Sequence, residues 1–295
     1  MADSRVLVVP ATGPPARGNS ARAWAQLGRN RAALAGLLVI AVLVLAAIFA
    51  PFLTPYNPYL VSLEIRLQPP GGAHPLGTDE LGRDILARLL FGARVSLWVG
   101  VVTVVLAGLI GVAGGLAAGY LGGYWDAIIM RLVDIFLAFP VIILAIAIVA
   151  VRGPGLTNVL IALALVYWTT YARVARAVVL TLREEEYTWA ARTLGASTFR
   201  IMLRHLLPNA VAPLVVLASL GMGNAILAEA ALSFLGLGIQ PPEASWGSML
   251  NFGMQFLRED SFLSTTPGLA IFVTVLGFNL LGDGLRDALD PRLRT

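Results

Sequence analysis

A chain of 295 residues that is 58% hydrophobic and only 13% charged, with a formal net charge of +4 and a mean hydropathy of +0.80, must bury most of itself in lipid, which excludes an ordinary soluble domain. Cysteine is absent, so disulfides, thiolate nucleophiles and cysteine-held metals are excluded. All 21 of its Lys+Arg residues are arginine, and a P-loop needs a lysine on the nucleotide phosphates, so the chain is not itself a P-loop ATPase.

Residues 1–31 are rich in Arg, Gly, Pro and Ala and read as a basic tail. The first apolar run, 32–53, suits a transmembrane helix; it is too long, and its basic lead too extended, for a signal peptide. Pro51, Pro55, Pro58, Pro69, Pro70, Gly71 and Gly72 then punctuate a loop, 54–94, that regular helix does not cross. Inside it Thr78 is placed to cap a helix with Asp79 and Glu80 in its first turn. Leu81, Ile85 and Leu89 would share one face beside Arg83, Asp84 and Arg88, which predicts an amphipathic helix along the membrane surface.

Residues 95–284 hold five further spans. The second, 95–119, carries Gly111, Gly115 and Gly119 at intervals of four, a stripe that lets another helix approach closely. A third runs over 135–151 with a kink expected at Pro140, and a fourth over 159–174. The fifth is 210–230. The stretch SFLGLGIQPPEASWGSML, 233–250, suggests a re-entrant or interfacial segment, in which Trp246 either lines an outer gate or anchors the lipid boundary. The sixth span is 267–281, and residues 285–295 read as a tail.

Between the fourth and fifth spans, residues 182–208 form a polar island with several arginines and three consecutive glutamates. Residues 182–194 have helical composition, Gly195 suits a left-handed stop, and Ser197 can cap a second helix ending at Pro208. Ala190, Ala191 and Gly195 make part of this helix-turn-helix small enough to dock in a groove on another protein. Arginine placement orients the chain. With the N-terminus inside, inner segments hold fifteen arginines and outer ones six, so both termini and the island are expected on the cytoplasmic side.

The spacing Ala190-Ala191, Gly195, His205-Leu206-Leu207-Pro208 resembles the EAA loop of permease subunits in prokaryotic ABC importers, the loop that contacts the ATPase. Four further blocks are similar to the second permease subunit of the dipeptide, oligopeptide and nickel subfamily. They are HPLGTDELGRDILARLLFGARVSL at 74–97, MRLVDIFLAFP at 130–140, EAALSFLGLGIQPPEASWGSML at 229–250 and LLGDGLRDALDPRLR at 280–294. Two residues depart from the loop pattern: Trp189 stands where it has glutamate, and His205 where it has isoleucine. The first weakens any salt bridge from that place, although Glu184, Glu185 and Glu186 lie about one turn earlier.

The resemblance implies an all-α polytopic membrane protein with six transmembrane helices and the type I ABC importer transmembrane fold. It implies a heterodimer with a homologous permease subunit and two ATP-binding subunits, which carry the ATP and Mg while this chain binds no cofactor. An extracytoplasmic solute-binding protein would deliver peptides or a related small solute. The chain would sit as a multi-pass protein in a prokaryotic plasma or inner membrane, surrounded by lipid, with no catalytic site and no nucleic-acid partner. Contact with the ATPase is carried over onto Glu185, Glu186, Ala190, Ala191, Thr193 and Leu194, and onto Gly195, Ala196, Ser197, Arg200 and Pro208.

Asp134 and Glu229 admit another class of function, since intramembrane acids serve protons or ions in coupled secondary transporters. Each has a plainer reading as a helix cap or an arginine's partner. A membrane enzyme has little support, because HExxH and GxSxG are absent from the sequence. His74 and His205 are the only histidines and fall on opposite sides of this topology, which argues against a shared metal site.

Overall fold

Long runs of Leu, Ile, Val and Ala with few interior breakers produce five helices long and apolar enough to cross a membrane, and a sixth crossing is available from one bent pair. The computed structural model describes residues 26–289. Most of the basic tail and residues 290–295 lie outside the described residues. Among the described residues the regular structure is helical, joined by turns and loops, with one isolated bridge between Thr78 and Asp84.

In chain order the helices are α1 (Arg31–Ile48), α2 (Ala50–Leu53), α3 (Ile85–Leu121), α4 (Gly123–Leu137), α5 (Val141–Arg152), α6 (Leu156–Leu182), α7 (Glu186–Thr193), α8 (Thr198–Ile201), α9 (Leu207–Phe234), α10 (Trp246–Gln255) and α11 (Phe262–Leu289). The packing partners give their directions. A β-carbon placed on Gly111 would overlap the backbone at Trp168, and one on Gly119 would overlap Val179. Residue numbers therefore rise together and α3 runs parallel to α6. Two neighbouring helices can run parallel only if the chain between them returns from one end of the bundle to the other. The segment 122–155 makes that return, so the bent pair α4–α5 completes six passes.

Other contacts run antiparallel. Ser96 of α3 meets Glu229 of α9, while Leu116 of α3 clusters with Leu206 at the foot of α9. Gly36 of α1 lies against Gly277 and Leu280 of α11, and Ala33 against Gly284. The two described ends of the chain and the island thus share one end of the bundle.

Four expected boundaries move. The surface helix expected from Thr78 is absent, and α3 instead runs 37 residues from Ile85, about 55 Å at the helical rise. No proline lies between Ile85 and Leu121, so the residues 85–94 expected in a surface helix and the second span form one rod. Its cap is Asp84, whose carboxylate accepts the Ala87 amide at 2.6 Å. Thr78 is engaged elsewhere, donating to the Ile65 carbonyl and accepting the Gln68 amide at 2.9 Å.

The second correction lies at Pro140, where the expected kink is a break: α4 and α5 meet at 89°. Third, the second island helix does not stop at Pro208. The single turn Met202–Leu206 is wound as a π-helix and feeds into α9, whose first turn takes Pro208 where its missing N–H is harmless. Last, the sixth span begins at Phe262, capped by Asp260 at 2.9 Å, and continues past Gly282 and Gly284. Those glycines are contact points against Leu220 and Ala33, not a stop, so the helix occupies part of the expected tail.

The loop 54–84 is held on the head of α3 by a polar knot drawn from HPLGTDELGRD. Asp79 pairs with Arg83 at 2.7 Å and with Arg88 at 3.2 Å. Glu80 pairs with Arg83 at 2.8 Å, and burial, reinforced by Asp79, pushes its carboxyl above the usual carboxylate range. His74 Nδ1 lies 2.9 Å from Asp84, its ring 4.6 Å from that of Tyr56.

Candidate functional site

The island folds as an elbow. The helix expected over 182–194 is broken by a turn at 183–185, where the Thr188 hydroxyl reaches back to the Leu182 carbonyl at 2.8 Å. Arg183 donates to the Gly119 carbonyl at 3.0 Å, fastening the turn to the end of α3. The other end of α7 closes at Gly195, with φ +77°, a conformation that favours glycine. The Gly195 amide bonds to the Arg192 carbonyl and that of Ala196 to the Ala191 carbonyl, both at 3.0 Å. Ser197 then caps α8 through the Arg200 amide at 3.4 Å.

One face of the elbow is a small core: Ala191, Ile201 and Leu206 pack with Leu116 of α3 and Val179 of α6. The smallness of Ala191 is therefore used inside the chain, which corrects the expectation that it belongs to the docking surface. The opposite face is open. Glu185, Glu186, Ala190, Thr193, Ser197, Arg200 and Pro208 are exposed, Ala196 is half-buried, and Gly195 faces open space. Leu194 is 87% and Phe199 67% exposed, with Trp189 and Leu203 also uncovered.

Phe199 and Leu203 were missed in the sequence; the available signal was apolar residues inside an otherwise polar island. Trp189, the departure from the loop pattern, lies 4.9 Å beneath the Arg192 guanidinium, which also covers Tyr120 at 5.5 Å. An apolar knob ringed by charge, on a short rod tied to three long helices, can receive a push from another protein and pass it to the bundle.

Trp246 packs inside the chain, away from both the position at an outer mouth and the position at the lipid boundary that the sequence suggests. It is 1% exposed, its indole donating to the Leu89 carbonyl at 3.0 Å, at the head of a 10-residue helix capped by Ser245 and Ser248. Gly111, Gly115 and Gly119 all face α6.

The two acids differ. Glu229 is fully buried and accepts from Ser233 at 2.7 Å and from Ser96 at 3.3 Å, with no arginine in reach among the described residues. Asp134 bonds to Arg173 at 2.9 Å with both side chains largely exposed. Among the described residues no group of three metal-ligating side chains converges.

Residues 110–295 match the family described as binding-protein-dependent transport system inner membrane component, and residues 20–70 match the N-terminal TM domain of oligopeptide transport permease C. The dipeptide transport system permease protein DppC of Alkalihalophilus pseudofirmus is 48% identical over 273 residues, 92% of this chain and 90% of that protein. Its namesake in Escherichia coli K12 is 47% identical over 277 residues, covering 92% of each. The di/tripeptide transport system permease protein DppC of Pseudomonas aeruginosa is also 47% identical, over 92% of this chain and 91% of its own. Among solved structures, the MetNI methionine ABC transporter in an inward-facing conformation superposes with a TM-score of 0.55 at 20% identity, over 69% of this chain and 96% of that one. At that identity the likeness is one of fold.

Proposed function

This chain belongs to the binding-protein-dependent transport system inner membrane components and is a multi-pass permease subunit of an ABC importer, and from that premise we propose that it forms, with a homologous subunit, the pathway for di- or oligopeptides. The cargo follows the names of the similar permeases. A solute-binding protein hands the peptide over outside, and two ATP-binding subunits engage the elbow inside. The observation that carries this reading is the exposed knob of Trp189, Leu194 and Phe199, at the same end of the bundle as the described termini. The arginine asymmetry supports placing that end in the cytoplasm.

The chain contributes shape, not reaction chemistry. Closure of the ATP-binding subunits moves the knob; α7 and α8 pass the displacement into α6 and α9, and the parallel α3–α6 pair is carried with them. ATP shifts the resting equilibrium by binding one arrangement of the assembly better than the other.

Uptake by the reconstituted importer tests the reading. Dipeptide accumulation should stop when ATP is depleted and persist when an uncoupler collapses the proton gradient. Accumulation that ends with the gradient while ATP is still present would establish an ion-coupled carrier instead.

A further inference from the structure

Helix α1 leaves two of its own carbonyls unserved at the end away from the elbow. Pro51 has no N–H to offer the Ala47 carbonyl, and Phe52 gives its amide to Phe49 at 2.8 Å instead of to Ile48. Arg94 of α3 serves both, its Nε donating to the Ala47 carbonyl and its Nη2 to the Ile48 carbonyl at 2.7 Å. The guanidinium also lies 5.0 Å over the Phe91 ring. All these partners are neutral. Three of the five N–H donors of Arg94 stay unspent. Among the described residues it pairs with no carboxylate.

Beside this uncompensated charge a groove of about 420 Å³ opens between α1 and α3. Buried Ala47 and Leu97 close it, and Val44, Ile48, Trp98 and Val101 flank it, with Trp98 58% and Ile48 56% exposed. Arg94, Trp98 and Val101 recur at helical spacing and share one face of α3. From this end of the bundle, residue numbers rise inward along α3 and fall inward along α1. The groove therefore has a polar end at Arg94 and Ile48 and an apolar end at Val101 and Val44, about 10 Å deeper. The polar end is level with the last turn of the 18-residue spanning helix α1, where an arginine reaches the interface. Exposed Trp98, one turn deeper, belongs to the aromatic belt at that boundary.

We infer that this groove holds an anionic glycerophospholipid, its phosphate on Arg94 and one acyl chain along Trp98, Val101 and Val44. The unpaired cation selects the phosphate, whose oxygens accept the unspent forked donors. The polarity of the groove, charged at the membrane boundary and apolar toward the interior, is that of a lipid standing in its leaflet. A transmembrane helix fits worse. Such a helix is about 10 Å across and approaches closely over small residues, whereas this groove is only about two turns long and is walled by tryptophan, isoleucine and valine. Bound there, the lipid braces α1 against α3.

The complete importer, purified in detergent and stripped of endogenous lipid, provides the test. It is titrated with dioleoylphosphatidylglycerol or with zwitterionic dioleoylphosphatidylcholine, and bound lipid is counted by native mass spectrometry. Arg94→Gln should weaken one phosphatidylglycerol site by on the order of tenfold and leave phosphatidylcholine binding nearly unchanged. Val101→Trp fills the deep end of the groove and spares the bonds of Arg94 to α1. It should weaken the same site, which separates loss of lipid from loss of the α1–α3 tie. Phosphatidylglycerol binding unchanged in Val101→Trp, or no tighter than phosphatidylcholine in the wild type, would overturn the inference. So would a cross-link from Trp98→Cys, in a chain with no other cysteine, to the homologous permease subunit, because the groove would then be a seam between subunits.

Discussion

At the scale of single residues, the contacts that hold the helices together have unequal tolerance. Gly115 allows α3 and α6 to touch backbone to backbone, and a side chain there meets Ala175 at 2.6 Å and the Arg176 amide at 2.9 Å. Gly115→Leu should therefore overpack the seam and cost about 1–3 kcal/mol or more, read as a lower melting temperature of the purified protein. Gly72→Ala, with nothing within 4 Å, should leave it unchanged. The stripe was legible because spacing by four is a helical period.

Trp246 was not legible, because aromatic residues near a membrane boundary read alike whether they anchor, gate or pack. Its burial depends on Leu89, far away in sequence. Glu229 was equally ambiguous, and its role lies in which hydroxyls meet it. Glu229→Gln keeps a carbonyl oxygen to accept from one of the two serine hydroxyls and offers an N–H to the other, which can turn to accept it, and should fold and transport nearly normally. Glu229→Leu leaves those hydroxyls unpaired and should lose about 1–3 kcal/mol of stability. A well-folded Glu229→Gln protein without transport would show that the charge itself is used.

At the scale of elements, composition revealed where helix exists better than where it stops. The fused α3 shows why: polar residues at 79–83 resemble an N-terminal turn, but Asp79 and Glu80 are consumed in the knot with Arg83 and Arg88, and the helix begins only after Asp84, which caps it with one oxygen while the other meets His74. The right angle at Pro140 and the π turn before Pro208 reflect how neighbouring helices take up a proline, which the local sequence does not encode. The elbow was legible as a polar island, yet its two faces were not, since only packing against Leu116 and Val179 turns Ala191 inward. Ala191→Leu should therefore disturb the elbow's own core by about 1–3 kcal/mol. Leu194→Ser, on an exposed side chain, should change stability by less than about 0.5 kcal/mol but weaken retention of the ATP-binding subunits during purification. Equal retention by Leu194→Ser and the wild type would remove Leu194 from the docking surface.

At the scale of the whole molecule, the parallel contact of α3 with α6 requires a return pass between them, and that requirement fixes six crossings despite the broken third. Single cysteines placed at Ser197 and at Gly72 should be labelled by an impermeant reagent from opposite faces, Ser197→Cys from the cytoplasm. Labelling of both from one face would refute the arrangement. The elbow is the place where, in the proposed function, a separate ATP-driven motor moves the bundle, and a cross-link tests that most directly. Leu194→Cys, in a chain with no other cysteine, should form a short bifunctional cross-link to an ATP-binding subunit in the assembled importer, at a yield that changes when ATP is bound. A cross-link only to lipid or to the extracytoplasmic binding protein, or none at all in a complex that transports normally, would contradict it.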